Sequence, residues 1–275
     1  MFGIMQGRLV PPAPGRLQSF PRDCWADEFP RAAAAGLDAI EWIYDTFGLG
    51  ANPLESDDGI ERMRQLSESS GVGVRSMCAD YFMDCAFVRA TDAERTARLE
   101  HLGWLLGRAA RVGIRRVVLP FVDQSAIRDE QDRGAVVDTL RRILPAAKDR
   151  NIELHLETDL SPADFAAFLA RVPDPFVKVN YDSGNSSSLG YHPTEELAAY
   201  GDRLGSVHIK DRTRGGGTVP LGQGDADFDA LFAALRRLNY AGDFVLQVAR
   251  GVAGEEVDWA RRNLTFVKQR LGQGN

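Results

Sequence analysis

Apolar, strand-like runs alternate with helical patterns eight times along this chain. The runs are Phe2–Gln6, Ala39–Tyr44, Val72–Cys78, Arg116–Leu119, Ile152–Glu157, Phe176–Tyr181, Gly205–Ile209 and Asp243–Val248. Helix-period segments cover Asp23–Ala35, Asp57–Ser70, Asp92–Val112, Asp129–Arg150, Ala163–Arg171, Pro193–Asp202, Asp227–Leu238 and Glu255–Leu271. Asp92 and Asp227 stand where side chains cap helix starts, Pro193 suits a first turn, and Gly36, Gly71 and Gly113 stand where helices end. Eight such units in 275 residues fit the length of a closed (β/α)8 TIM barrel, an α/β fold. A doubly wound open sheet is the structural alternative, but it usually has fewer strands and often a glycine-rich turn after the first. Here that turn reads Gly7-Arg8-Leu9-Val10-Pro11-Pro12-Ala13-Pro14, which cannot open a helix directly. No linker or low-complexity tract divides the chain, so residues 1–275 read as one domain.

Composition narrows the function. The net charge is −6, so nothing in the overall field gathers nucleic acid. Cys24, Cys78 and Cys85 are too few and too irregular for a disulfide framework, which fits a reducing cytoplasm. The first eight residues turn polar too soon for a signal peptide, and no apolar stretch reaches the roughly 18 residues that span a bilayer.

Parallel strands joined through helices bring their C-terminal ends to one rim, where loops carry function. Glu157, Asp182, His208 and Gln247 fall at the ends of the fifth to eighth strands, so they can converge although they are distant in sequence. Two carboxylates, an imidazole and an amide form a ligand set for a divalent metal such as Mn²⁺, Mg²⁺ or Zn²⁺. Side chains two apart on a strand share a face. If Glu157 points inward, His155 and Glu153 do too; Asn180 and Lys178 then accompany Asp182, and Ser206 and Lys210 accompany His208. Such a polar interior calls for ion pairs beneath the site, with Lys178 and Glu153 as one candidate pair. His155 reads as a structural residue or a support to the ligands rather than a ligand.

Val207-His208-Ile209-Lys210-Asp211, Pro220-Leu221-Gly222-Gln223-Gly224 and Asp227-Phe228 resemble the seventh strand and following loop of the xylose-isomerase-like TIM barrels, a family of sugar and sugar-phosphate isomerases and epimerases. Tyr181-Asp182-Ser183-Gly184-Asn185 and Leu156-Glu157 resemble the sixth- and fifth-strand motifs. The opening Gly3-Ile4-Met5-Gln6-Gly7-Arg8-Leu9, with Gln18-Ser19-Phe20-Pro21 and Ile40-Glu41-Trp42, resembles a subgroup near the ribulose-phosphate epimerases. The resemblance implies a divalent metal on Glu157, Asp182, His208 and position 247, a small sugar or sugar phosphate as ligand, and often dimers or tetramers. It departs at position 247, where the family usually has glutamate. An amide oxygen can bind a hard cation but cannot act as a general base.

The chemistry so implied is proton abstraction beside a ketose carbonyl, with Glu157 as the base. Without a strand-eight carboxylate, one-base isomerisation is favoured; epimerisation must recruit another acid, such as Asp80, Glu41 or Asp211. Dehydration of a keto-sugar is an alternative on the same site, and a degenerate sugar-binding barrel is another. An apurinic-site endonuclease, which shares this barrel, typically uses more histidines than the four present, His101, His155, His192 and His208. Arg8, Lys210, Arg212, Arg214 and Arg250 fall near predicted strand ends and favour an anionic sugar. The substrate-binding candidates are Arg8, Glu41, His155, Asn185, Lys210 and Arg214. Trp42 and Phe82 are candidates to pack on a sugar ring, with a core role favoured for Trp42, and the glycine-rich stretch after the seventh strand reads as a mobile flap.

Overall fold

The computed structural model describes residues 1–272. Its barrel strands are β1 (Phe2–Met5), β2 (Ala39–Ile43), β3 (Gly73–Cys78), β4 (Arg116–Phe121), β5 (Glu153–Thr158), β6 (Val177–Asp182), β7 (Leu204–Ile209) and β10 (Asp243–Leu246). They are parallel and close in the order β1–β10–β7–β6–β5–β4–β3–β2, giving the (β/α)8 barrel that the alternating pattern predicts. The loop after β7 adds a small antiparallel ribbon of β8 (Asp211–Arg212) and β9 (Thr218–Val219).

The helices are α1 (Glu28–Ala35), α2 (Asp57–Ser70), α3 (Tyr81–Asp84), α4 (Asp92–Val112), α5 (Glu130–Asp149), α6 (Pro162–Ala170), α7 (Ser183–Leu189), α8 (Pro193–Tyr200), α9 (Phe228–Arg237) and α10 (Glu256–Arg270). Local chemistry sets their ends. Asp227 caps α9 through the Ala230 N–H, and Gly36, Gly71 and Gly113 end α1, α2 and α4 in the left-handed region. Asp92 is not the cap of α4. Thr91 is, because Glu94 stands three residues on and bonds back to it, leaving Asp92 as a first-turn acid.

The helices bury one stripe each, such as Leu99, Leu102, Leu105, Leu106 and Ala109 of α4, against the outer strand faces. Trp42 belongs to this outer core. It points away from the barrel axis onto Phe20, Trp25 and Phe29, with ring centroids 5.7–6.2 Å away, and its Nε1–H donates to Asn52. Phe82 is also buried, stacked on Phe87, so neither ring faces the cleft.

The barrel interior is polar on one side, as the two-residue periodicity predicts. At its floor Arg116 of β4 forms an ion pair with Asp243 on the diametrically opposed β10. The expected Lys178–Glu153 pair does not form. Glu153 Oε2 instead lies 3.1 Å from His155 Nε2 on its own strand, a shorter reach than across to β6.

Candidate metal centre and active-site cleft

Glu157, Asp182 and His208 meet at the rim. One ligand atom from each lies within 4.8 Å of the others, and all three residues are buried. Glu157 is the penultimate residue of β5 and has both oxygens held: Asn185 Nδ2 donates to Oε1 at 2.6 Å and Asn180 Nδ2 to Oε2 at 2.7 Å. Asp182 ends β6 and starts α7. Its Oδ1 accepts the Gly184 and Asn185 N–H groups at 2.9 and 2.8 Å, which leaves Oδ2 turned to the centre. His208 Nδ1 is 3.4 Å from Glu157 Oε2 and 3.9 Å from Asp182 Oδ2.

Behind His208, Glu41 Oε2 accepts from Nε2 at 2.6 Å. Burial acts to lower the His208 pKa, but the charges of Glu41 and Glu157 more than offset it and hold the imidazole well above its ordinary value. His208 Nδ1, which also lies 3.1 Å from Asn180 Nδ2, is the ring nitrogen turned toward the two carboxylates. Burial likewise opposes ionisation of Glu41, yet His208 holds that carboxyl below its usual range. A carboxylate fixing the far nitrogen of a histidine is the arrangement that orients metal-ligating imidazoles.

A layer lower, His155 Nδ1 is hydrogen bonded to Ser206 Oγ at 2.7 Å, and Ser206 donates to Asn180 Oδ1 at 2.6 Å. That fixes Asn180 with its amide nitrogen toward Glu157. His155 fits here because residue 205 is glycine: a Cβ would stand 2.5 Å from His155 Cε1 and 2.7 Å from Lys178 Cβ.

Gln247 follows β10 directly, and donor logic fixes its amide. Arg8 has only donors, and its Nη2 bonds Gln18 Oε1 at 3.0 Å. Gln18 Oε1 therefore also takes the Gln247 Nε2–H, at 3.0 Å. Gln247 Oε1 is left facing Lys210 Nζ at 3.4 Å, an ammonium also 3.4 Å from Asp182 Oδ2 and 3.1 Å from Asn185 Oδ1. Three strand ends thus bring a carboxylate pair and an imidazole nitrogen together, and Gln247 Oε1 approaches them through Lys210 Nζ, which it shares with Asp182 Oδ2. Apart from a histidine proton, Lys210 is the only cation within 4.0 Å of either carboxylate among the described residues. Buried carboxylates with so little compensation fit a divalent cation.

The centre opens into a cleft of about 430 Å³. Arg8, Asn185, Lys210, Glu157 and Gln247 line it, joined by Gln18, Asp80 and Arg212. Three expected substrate contacts lie elsewhere. Glu41 is turned inward by His208, and His155 is sealed beneath Asn180 and Ser206. Arg214 is exposed on the outside of the loop after β7, where its guanidinium lies against Gly190. Arg212 reaches the cleft in its place: it is held on β8, paired with Thr218, whereas Arg214 lies beyond the strand in the turn, and Arg212 Nη1 donates to Asn185 Oδ1 at 2.9 Å. Arg250 bonds the carbonyls of Leu17 and Val10 rather than lining the cleft. Arg8 donates to the Val248 and Leu17 carbonyls and to Gln18, so at the cleft wall it acts chiefly as a clamp. Gln18 and Asp80 come from the loops after β1 and β3; only chain closure brings them here.

Among the described residues, no helix is long and apolar enough to cross a membrane. The family described as the xylose isomerase-like TIM barrel matches residues 29–270. The chain is 25% identical over 273 residues to L-ribulose-5-phosphate 3-epimerase UlaE of Escherichia coli (strain K12), covering 91% of each chain. The structure of an L-ribulose 3-epimerase superposes with a TM-score of 0.80 at 18% identity, over 98% of this chain and 94% of that one. A structure of the IOLI protein with a binding zinc atom gives 0.75 at 16% identity, over 100% and 99% of the two chains. With the closed barrel and the rim cluster in place, this chain belongs to the xylose isomerase-like TIM barrel family.

Proposed function

We propose that the protein is a divalent-metal-dependent isomerase or epimerase of a sugar or sugar phosphate, with Glu157 as the general base. The observation that carries this reading is the buried convergence of Glu157, Asp182 and His208, with Glu157 lining the adjoining cleft. With Gln247 Oε1 as the fourth donor, the set suits Mn²⁺, Mg²⁺ or Zn²⁺. A cation bound there supplies Lewis acidity toward a carbonyl oxygen and its neighbouring hydroxyl. Glu157 then takes the proton from the carbon beside the carbonyl; Asn180 and Asn185 keep its two oxygens in place for the transfer. Lys210 and Arg212, with Arg8 behind them, present positive charge to an anionic or hydroxyl-rich substrate. The 3-epimerase relatives, among them one acting on L-ribulose 5-phosphate, support a ketose or its phosphate as substrate class.

The test is solvent-deuterium incorporation into a panel of ketoses and ketose phosphates, with and without Mn²⁺. Exchange at the carbon beside the carbonyl is expected only with metal. Glu157→Gln should reduce it by roughly 100-fold or more, the usual weight of a general base. A wild-type protein that binds metal but exchanges no substrate proton would leave a sugar-binding barrel as the reading. Loss of water to a dehydrated keto-sugar, seen in the same spectra, would redirect the assignment to a lyase.

A further inference from the structure

Epimerisation needs a proton on the face opposite the one that lost it, and position 247 cannot deliver one. Its amide is locked, donating to Gln18 and facing Lys210 with its oxygen. The three other acids that the sequence offers have different fates. Glu41 is bound to His208 outside the cleft. Asp211 is fully buried and accepts the N–H groups of Gly222, Gly224 and Ala226, anchoring the loop after β8. Asp80 lines the cleft, two residues past the end of β3, a strand two places round the barrel from the β5 that carries Glu157. Of the remaining cleft carboxylates, Asp45 is committed to the backbone, pinning the loops after β1 and β2 through the Phe20 and Gly48 N–H groups, whereas the partners of Asp80 are side chains; Asp84 and Asp123 are exposed at the rim.

Resting on the enolising reading above, we propose that Asp80 is the second proton-transfer group of this site, taking the role that the amide at position 247 cannot fill. Gln18 places it: its Oε1 is held by Arg8 and Gln247, so its Nε2 faces Asp80 Oδ2, at 2.8 Å. The Cys78 thiol lies 3.0 Å from Oδ1. The amide relay Gln247–Gln18–Asp80 thus carries the missing carboxyl function from β10 to the end of β3. The carboxyl is also suited to holding a proton. Burial pushes its pKa up to about 6; the Cys78 and Gln18 hydrogen bonds pull it down and the charges of Asp45 and Glu157 push it up. The groups facing it are Cys78, Gln18, Asp45, Glu157 and the Arg8 guanidinium.

In the forward step Glu157 carboxylate takes the proton from the substrate carbon, and the C–H electron pair moves onto the carbonyl oxygen through the new C=C bond. Asp80 as the acid gives its proton to the same carbon from the other side, and the carbonyl re-forms. Turnover leaves Glu157 protonated and Asp80 ionised; proton exchange with water restores both.

The test follows the Mn²⁺-loaded enzyme in D₂O with a panel of ketoses and ketose phosphates. Asp80→Asn should keep washing deuterium into the substrate carbon with retention of configuration, while epimer formation falls by roughly 100-fold or more. Epimerisation within threefold of wild type would overturn the assignment. So would loss of exchange and epimerisation together in a variant with unchanged melting temperature and metal content. A wild type that exchanges but never epimerises would overturn it too, leaving the enolising reading intact, whereas one that exchanges nothing removes that reading and the assignment with it. Asp80→Ser, which keeps a small hydrogen-bonding side chain, carries the same outcomes if Asp80→Asn does not fold.

Discussion

Removing Glu41 should weaken metal binding without touching a ligand. Its Oε2 accepts from His208 Nε2 at 2.6 Å, and both side chains are sealed from solvent. Glu41→Gln keeps an acceptor oxygen but loses the charge. Glu41→Ala also leaves a buried N–H without a partner, which costs about 1–3 kcal/mol. Outer partners of metal-bound histidines typically govern affinity by about 10–100-fold, or about 1.4–2.7 kcal/mol. We therefore expect about a 10-fold weaker Mn²⁺ dissociation constant for Glu41→Gln and about 100-fold for Glu41→Ala, read by titration calorimetry on chelator-treated protein. A counter-effect sets the conditions. Glu41 also raises the His208 pKa, so the metal must displace a proton that Glu41 helps to hold. Wild-type affinity should accordingly climb with pH as the imidazolium gives up that proton, and the variants should climb less. The loss is therefore largest at alkaline pH. If Glu41→Ala binds Mn²⁺ within twofold of wild type at alkaline pH, Glu41 does not orient the ligand and the argument fails.

Two further expectations concern stability. Burial pushes Glu28 up to about 7, with Oε1 accepting the Gly7 and Leu9 N–H groups and Oε2 without a hydrogen-bond partner among the described residues. Its folded pKa lies above the unfolded one, so its contribution is fully present below about pH 4.5 and is lost as pH rises through about 7. The loss is roughly 3 kcal/mol at most. Glu28→Gln should flatten the fall in urea stability between pH 5 and 8.5, and an unchanged slope refutes this. Asp211→Ala frees three backbone N–H groups of the loop that closes one side of the cleft. It should cost about 2 kcal/mol and speed proteolysis within residues 213–226; wild-type cleavage rates there would show the loop is held by other contacts.

The barrel was legible because its strands and helices repeat a period that burial enforces, and the rim was legible because strand ends share one face. Glu157, Asp182 and His208 needed nothing more. What escaped depended on the third dimension. Glu41 lies on an inward position, as a cleft residue would, yet its partner sits on a strand reached only when the ring closes. Arg212 and Arg214 are indistinguishable in sequence; the two-residue β8 decides which faces the site. The serine-rich α7 defies helix propensity and forms because Asp182 caps it while presenting its other oxygen to the centre. Gln18 was visible as part of a motif, but its role as the hinge between Gln247 and Asp80 is a matter of donor directions that no spacing encodes.

Gly205 shows where tolerance to change ends in this barrel. One methyl group there would strike the His155 ring, and the shove would pass through Ser206 and Asn180 to Glu157. The stance of the Glu157 carboxylate is thus governed by a hydrogen atom buried below it. A mutational survey that ranks positions by their nearness to the cleft would score this glycine as silent, and a designer repacking the interior would be tempted to fill it.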